Sequence, residues 1–257
     1  MSINDERRAV WKTMRSEPIG IRVQYFWDYY KWHTIVFVIL LALAISYTVA
    51  LLTEPDATVN GMLINAYNYF RYEEMDKQTQ ELASAFLEQQ GKSEDQLSLN
   101  MDTSRIYYVG EEDHSYNYDT IQLLLTYTAA DSLDYVTGDS VALIDLAYMD
   151  FFGNLEDHLP DEVLQTNKED LLYIDYAVVE QRQEAFDNNF DLSNIIYPNP
   201  SKPEQMKDPI PVLICIDNSE RMREIYGDSV GQLYFAFTSS DKDGNTAAFL
   251  QYLMQGN

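Results

Sequence analysis

This chain has little of three things that most binding and catalytic sites use: cysteine, histidine and positive charge. It contains one cysteine, three histidines, and 17 lysine and arginine residues against 42 aspartate and glutamate residues. Because Cys215 has no second cysteine to pair with, no disulfide can form within the chain, and a folded domain must depend on its hydrophobic core. Cys215 itself stands in an apolar segment and is interpreted as a small buried hydrophobic residue.

The scarcity of histidine and of basic residues excludes two classes of function. His114 and His158 show neither an H-x-x-x-H spacing nor a cysteine partner, so the pattern of a zinc site is missing. The formal net charge of −25 opposes binding to nucleic acid, because that binding depends on lysine and arginine neutralising phosphates. We expect no metal, no cofactor and no nucleic-acid partner.

Motifs for phosphate, dinucleotide and calcium binding are also missing. There is no P-loop and no dinucleotide-binding glycine pattern. Residues 241–245, DKDGN, are similar to the start of a calcium loop. That loop requires glycine at its sixth position and glutamate at its twelfth, where this chain has Thr246 and Tyr252. A turn is therefore the better interpretation.

The string Gly138-Asp139-Ser140 invites comparison with GDS-type esterases, in which the serine is a nucleophile activated by a histidine. His158 is the one histidine after it, and it lacks the aspartate three residues earlier that such enzymes carry. The same Gly-Asp-Ser-Val string recurs at residues 227–230, which suits a turn. Asp139 is most simply the N-cap of a following helix. We expect no enzyme, and a hydrolase using Ser140 is the less favoured alternative.

One long apolar run is present, at residues 34–52, and it contains no charged residue. It is long enough to cross a bilayer as a helix. Basic residues precede it, whereas Glu54 is the nearest charge after it, so the positive-inside rule places residues 1–33 in the cytoplasm and residues 57–257 outside. A cleaved signal peptide is less favoured, because the preceding segment is long and no small-residue cleavage site follows the run.

Aromatic and basic residues border this run on its N-terminal side. Tryptophan and tyrosine prefer the headgroup layer of a bilayer, and basic side chains meet anionic lipids there. We interpret the following residues as a membrane interface that fixes the depth of the helix: Arg22, Tyr25, Trp27, Tyr30, Lys31 and Trp32. A docking motif for a membrane protein partner is the alternative interpretation of the same residues.

Beyond the run, apolar periodicity predicts strands that alternate with helices. Strands are expected at residues 59–66, 97–101, 134–137, 171–179, 212–216 and 233–237, with 105–110 as a possible continuation of a sheet. Helices are expected at residues 73–90, 118–129, 140–150, 217–226 and 246–254. Such alternation predicts an α/β domain with a mixed or mainly parallel sheet. Residues 187–208 carry three prolines and fit either a crossover between two lobes or an ordinary surface loop.

Tyrosine is abundant, with 20 residues, and several of them lie close together in the N-terminal half. Tyrosine offers a rigid contact surface with one polar end, which suits both ligand clefts and core packing. If a cleft exists beside the strand ends of this half, the residues expected to line it are Tyr107, Tyr108, Tyr116 and Tyr118.

Residues 133–159, LDYVTGDSVALIDLAYMDFFGNLEDHL, resemble part of type 2 extracytoplasmic solute-binding proteins. In that family a strand ending in aspartate is followed by a helix, then by glycine within an aromatic and leucine-rich stretch. The corresponding residues here are Asp134, Asp139, Phe151, Phe152, Gly153 and Leu155. Residues 25–33, YFWDYYKWH, are similar to leaders of uncharacterised single-pass membrane proteins of Gram-positive bacteria. The resemblance implies an α/β domain, possibly two-lobed, with a cleft, and it transfers no ligand-binding residue.

We therefore expect a membrane-anchored extracytoplasmic binding domain of solute-binding-like fold, whose partners are the lipid bilayer and either a small-molecule ligand or a membrane protein. A structural or assembly subunit of a membrane complex, without a ligand site, is the alternative.

Overall fold

The computed structural model describes residues 18–53, 55, 57–110, 114–188, 192–227, 230–238 and 244–256. The chain divides into two compact units, Met1–Glu54 and Pro55–Asn257. This division falls two residues after the end of the predicted apolar run and places the predicted acidic domain in a unit of its own.

In the first unit, helix α1 covers Ile19–Thr53. Its stretch Tyr30–Val49 is the one segment of the described residues that is long and apolar enough to cross a membrane, and none of it is buried. The helix begins 15 residues before residue 34, so the aromatic and basic segment continues the apolar helix without a break. The predicted helix at residues 34–52 is therefore confirmed as a candidate membrane span.

The described part of the second unit contains six strands that form one sheet. The strands are β1 (Thr58–Leu63), β2 (Ser98–Asp102), β3 (Tyr135–Asp139), β4 (Leu171–Asp175), β5 (Pro209–Cys215) and β6 (Leu233–Phe237). Their spatial order is β2-β1-β3-β6-β5-β4. Strand β1 pairs in parallel with β2 and β3, and the other pairs are antiparallel. The sheet is mixed, as predicted, and is not mainly parallel.

Helices connect these strands and cover both faces of the sheet. They are α2 (Tyr72–Gln90), α3 (His114–Ala129), α4 (Ser140–Ala147), α5 (Leu155–His158), α6 (Asp161–Thr166), α7 (Tyr176–Asp187), α8 (Glu220–Tyr226) and α9 (Asn245–Met254). Helix α2 ends at Gly91, which has the left-handed φ of 62° that glycine adopts most readily. The helix ends predicted at residues 90 and 226 are both confirmed.

Buried side chains alternate between the two faces along the central strands β3 and β6, and they belong to two hydrophobic clusters. On one face, Tyr135, Phe235 and Phe237 pack with residues of α2, α8 and α9. On the other face, Val136 and Tyr234 pack with residues of α3, α4 and α7. The unit is thus a three-layer α/β/α arrangement around one sheet. Because one sheet and one compact unit account for it, the expectation of two lobes is not confirmed.

The strand predicted at residues 171–179 is too long. Strand β4 ends at Asp175, whose carboxylate accepts a hydrogen bond from the main-chain N–H of Ala177 and caps helix α7. The same carboxylate accepts main-chain hydrogen bonds from Lys207 and Asp208 at 2.8 and 2.9 Å. An apolar run does not by itself separate a strand from a helix, and here the cap decides the boundary.

Residues 105–110 do not form the expected strand. Instead, the side chain of Asn65 binds both main-chain groups of Tyr107, accepting from its N–H at 2.8 Å and donating to its carbonyl at 2.8 Å. Asn65 has a φ of 63°, so β1 ends before it and not at residue 66. One asparagine side chain therefore replaces the main-chain ladder that a strand would have made.

The helix predicted at residues 217–226 begins later in the structure, as α8 at Glu220. Ser219 is its N-cap and accepts from the N–H of Met222. Asp217 instead pairs with Arg223 and accepts from the N–H of Leu233 at 3.1 Å. It therefore ties α8 to the start of β6.

Residues 187–208 join α7 to β5 within the one sheet, which fits a connecting loop and not a crossover between lobes. The carbonyl of Pro200 accepts from the N–H of Tyr173 at 2.9 Å, so this loop lies along the outer side of β4.

Candidate functional site

A cavity of about 560 Å³ lies between α4, the loop around Tyr197 and strands β4 and β6. Three tyrosines from three separate segments line it, together with a few polar side chains. We call it the tyrosine pocket and define it by Tyr148, Tyr197, Tyr234, Ser140, Asp145 and Gln232. The pocket lies where strand β3 ends and helix α4 begins.

The aromatic wall of the pocket is formed by an edge-to-face pair. The rings of Tyr148 and Tyr197 have centroids 4.8 Å apart and planes inclined by 65°. Tyr148 is buried, and burial raises the pKa of its phenol, whereas Tyr197 is exposed. Across the pocket, the hydroxyl of Tyr234 donates to the side-chain oxygen of Gln232 at 3.2 Å. The wall thus combines one buried ring, that of Tyr148, with one exposed ring, that of Tyr197.

A charged network lies beside this wall. Asp145 accepts from the guanidinium of Arg182 at 2.9 Å and from the hydroxyl of Tyr107 at 2.5 Å, one bond on each carboxylate oxygen. The guanidinium carbon of Arg182 lies 6.0 Å from the centre of the Tyr197 ring. Burial is the main cause that raises the pKa of Tyr107, and the hydrogen bond to Asp145 adds to it. The phenol therefore stays neutral and donates to the carboxylate of Asp145. The network therefore holds a carboxylate and a guanidinium at fixed positions beside the pocket.

The four tyrosines predicted to line a cleft differ in their environments. Tyr107 is only 3% exposed and lies behind Asp145, so it reaches the pocket through that carboxylate. Tyr108 is exposed, and its main chain is held by the side chain of Asn117. Tyr116 and Tyr118 are exposed on α3. None of the four is among the residues that line the tyrosine pocket.

The tyrosines that do line the pocket were not predicted. Tyr148 follows α4, Tyr197 stands in the proline-containing loop before β5, and Tyr234 is in β6. They are separated by 49 and 37 positions in the sequence. The nearest available sequence signal is the helix start at residue 140, because ligand sites of open α/β sheets often lie at strand ends.

The predicted membrane-interface residues all lie in α1. The side chains of Trp27, Tyr30, Lys31 and Trp32 are exposed, while those of Arg22 and Tyr25 lie outside the described part of the structure. The ring of Tyr30 contacts His33 edge-on, with centroids 6.2 Å apart. Exposed aromatic and basic side chains on the N-terminal part of one apolar helix fit an interfacial belt.

Ser140 lines the tyrosine pocket as the first residue of α4. Asp139 caps this helix, accepting from the main-chain N–H groups of Val141 and Ala142, as predicted. His158 stacks on Phe237, with ring centroids 4.6 Å apart, at the end of β6 that faces the start of β3. It therefore lies at the opposite end of the sheet from Ser140.

The other candidate motifs contribute no site within the described residues. In that part of the chain, no three histidine, cysteine, aspartate or glutamate side chains are grouped so that they could hold a metal ion. Residues 241–243 of the calcium-like string and residues 228–229 of the repeated Gly-Asp-Ser-Val string lie outside the described residues.

No family model, no curated protein and no solved structure matches this chain. A function therefore has to be inferred from the geometry of the chain itself.

Proposed function

We propose that this chain is a single-pass membrane protein whose domain of residues 57–257 lies outside the cytoplasm and holds a small organic ligand in the tyrosine pocket. The proposal keeps the interpretation of a binding protein of solute-binding-like character. It assigns the chain no catalytic step.

The anchor and its orientation are supported by α1 and by the distribution of charge. The stretch Tyr30–Val49 meets the length and composition of a membrane span. Six basic residues precede residue 34, whereas eleven basic and 38 acidic residues follow His33, a balance of −27. A basic segment before the span and an acidic domain after it favour a cytoplasmic N-terminus.

The observation that carries the binding proposal is the composition of the tyrosine pocket. Its volume of about 560 Å³ lies within the roughly 300–1,000 Å³ typical of small-molecule sites, which combine apolar walls with a few fixed polar groups. The Tyr148–Tyr197 pair offers an edge and a face to a planar or apolar body. Ser140 and Gln232 offer hydrogen-bonding groups to a polar end. We therefore infer a ligand with an apolar or ring-containing body and a neutral polar end.

The test is a ligand screen with the full-length protein in nanodiscs, read by saturation-transfer NMR. The compounds are aromatic amino acids, nucleosides, monosaccharides and short aliphatic acids. Replacing Tyr197 by alanine removes one half of the aromatic pair, and because Tyr197 is exposed, we expect little loss of stability. Tyr118→Ala is the matched control, since that tyrosine is exposed and lies away from the pocket.

We expect at least one ring-containing compound to bind the wild type and the Tyr118→Ala variant but to bind Tyr197→Ala about tenfold more weakly, a difference of about 1.4 kcal/mol. If no compound class binds, or if Tyr197→Ala binds as tightly as the wild type, the tyrosine pocket is not a ligand site.

Orientation is tested separately by adding protease to intact cells. We expect residues 57–257 to be digested and residues 1–33 to be protected. Protection of the acidic domain would contradict the proposed orientation, and a mature N-terminus beyond Leu52 would show that the apolar segment is a cleaved signal.

A second candidate is supported by exposed apolar side chains on the domain. Phe186, at the end of α7, and Ile196, in the loop that follows it, are 74% and 84% exposed, and exposed apolar groups mark contact surfaces where they adjoin one another. This favours an assembly subunit of a membrane complex. Photo-crosslinking from Trp27 and Trp32 distinguishes the two, because protein adducts support a membrane partner and lipid adducts alone count against one.

A further inference from the structure

A second and larger cavity, of about 870 Å³, runs along strand β2 at the edge of the sheet. Residues of α2, among them Asp76, Gln80 and Ala83, form one wall, and Tyr127 near the end of α3 belongs to the other. We call this cavity the edge groove. It involves none of the residues that line the tyrosine pocket.

Strand β2 presents unpaired main-chain groups to this groove. Within the described residues it pairs with β1 alone. The N–H of Ser98 donates to the carbonyl of Ala57 at 3.0 Å, and the register continues without interruption from Ser98 to Asp102. Because alternate residues of a strand bond to the same side, the N–H and C=O groups of Leu99 and Met101 point away from β1. The edge therefore offers two donors and two acceptors.

The two edge strands of this sheet, β4 and β2, differ in how their outward main-chain groups are covered. At the other edge, β4 has a register irregularity between Leu172 and Tyr173, and the carbonyl of Pro200 accepts from the N–H of Tyr173. A bulge and a covering loop are common ways of blocking an edge, as are proline and lysine within the strand. Strand β2, with the sequence SLNMD, contains no proline and no lysine, and its register with β1 is regular. Among the residues that the structure describes, none gives the β2 edge the protection that the β4 edge has.

The charge along the groove is of one sign. Among the described residues that line it, three are charged, and all are acidic: Asp76, Glu94 and Asp102. Asp102 also pairs with Arg105 at 2.7 Å. Burial opposes its ionisation, but hydrogen bonds from Ser104 and Arg105 outweigh that and hold the pKa of Asp102 below its usual value. A second copy of this acidic chain would meet like charge here, whereas a basic segment would be attracted.

We propose that the edge groove accepts an extended segment of a partner protein, rich in lysine or arginine, which adds a strand to β2. Main-chain hydrogen bonds to Leu99 and Met101 supply the pairing, as in other cases of strand addition. The basic side chains lie on the α2 side of the groove, toward Asp76 and Glu94, and the alternate, apolar side chains lie on the side of Tyr127. Five residues of β2 correspond to about 17 Å of extended partner chain.

The test uses the full-length protein in phosphatidylcholine nanodiscs, whose neutral surface does not attract a basic peptide. The probe is a capped heptapeptide of alternating lysine and valine, and binding is measured by isothermal titration calorimetry. A second peptide carries an N-methyl group on every backbone amide, so it keeps its charge but has no N–H on either edge with which to pair as a strand. A third has glutamate in place of lysine.

We expect the basic peptide to bind, the acidic peptide not to bind, and N-methylation to weaken binding about tenfold or more, because it removes hydrogen bonds that strand pairing requires. Equal binding of the N-methylated peptide would show adhesion by charge alone and would overturn strand addition. No binding of the basic peptide would overturn the proposal directly.

Variants of β2 locate the binding site. Met101→Pro removes an outward N–H that β1 does not use, so the sheet keeps its ladder while the peptide loses a donor. Met101→Leu is the matched control, because it keeps the N–H and a similar volume. We expect about a tenfold loss for the proline variant and no loss for the leucine variant.

If the proline variant does not fold, Asp76→Lys serves instead. It reverses an exposed charge in α2 and should weaken the basic peptide by about tenfold. Unchanged binding in Asp76→Lys, or a dimer of the wild type that Met101→Pro abolishes, would overturn the proposed occupant. Neither variant touches the tyrosine pocket, so failure here is separable from failure of the proposed ligand site.

Discussion

Tyr135 carries a polar group that the fold does not use, and removing it should stabilise the protein. The side chain is fully buried, and its ring stacks on Phe235 with centroids 4.8 Å apart. Its hydroxyl has no hydrogen-bond partner among the described residues. Because a buried, unpaired hydroxyl costs about 1–3 kcal/mol, Tyr135→Phe should raise the free energy of unfolding by up to that amount.

Tyr226 provides a control in the same hydrophobic cluster. It is also buried, but its hydroxyl lies 2.8 Å from the side-chain oxygen of Thr137 and shares a hydrogen bond with it. Tyr226→Phe would leave the Thr137 hydroxyl buried without this partner. We therefore expect a loss of about 1–3 kcal/mol, the opposite sign from Tyr135→Phe.

Both substitutions remove one oxygen from a buried ring, so the difference between them isolates the hydrogen bond. The free energies come from urea unfolding of the full-length protein, followed by circular dichroism, with thermal unfolding as a second measurement. For a domain of about 200 residues, 1 kcal/mol corresponds to a shift in Tm of about 2–4 °C. If Tyr135→Phe is less stable than the wild type, the hydroxyl has a partner and the reasoning is refuted.

Three further predictions follow from the same contacts. A Cβ added to Gly61 would lie 2.0 Å from a ring carbon of Tyr135, so Gly61→Ala should lower the free energy of unfolding by about 1–3 kcal/mol. Gly231→Ala is the control, because the space around Gly231 is open, and it should leave the stability unchanged in the same urea assay. Equal effects of the two substitutions would contradict the close approach of Tyr135 to Gly61. Burial raises the pKa of Tyr226, so the folded state favours the neutral phenol. The stability that this preference contributes is fully present below the unfolded pKa of about 10 and is lost as the pH rises above that value. Urea midpoints between pH 8 and pH 11 should therefore fall, less steeply in Tyr226→Phe, and parallel falls would refute the assignment. Asp145→Asn removes the carboxylate that pairs with the largely buried Arg182 and should cost about 1.5–3 kcal/mol, while an unchanged stability would show that the pair contributes little.

The features that could be predicted from the sequence are those set by neighbouring residues. Strand β6 was predicted at residues 233–237 and found there, because a short, continuous run of apolar residues, LYFAF, marks it locally. Helix α2 and its end at Gly91 follow from a helical apolar spacing and a single glycine. Asp139 could be predicted as a helix cap because capping is a local contact: its carboxylate accepts from N–H groups only two and three residues away.

The errors in the prediction came from distant contacts. The strand expected at residues 105–110 does not form, because Asn65, some 40 positions earlier, binds the main chain of Tyr107 at 2.8 Å. Strand β4 ends at Asp175 because that carboxylate binds residues 207 and 208 as well as its own helix. None of the four tyrosines predicted to line a cleft lines the tyrosine pocket, because closeness in the sequence does not specify which side chains meet there.

What the sequence determined by itself is the apolar helix, the charge on either side of it and the alternation of strands with helices, because each depends on composition and spacing along a short stretch. The tertiary structure alone decided which strands became the two edges of the sheet, which three tyrosines meet around one pocket, and which buried hydroxyl was left without a partner. Those outcomes depend on how segments far apart in the chain pack together, and no local pattern of residues specifies that packing.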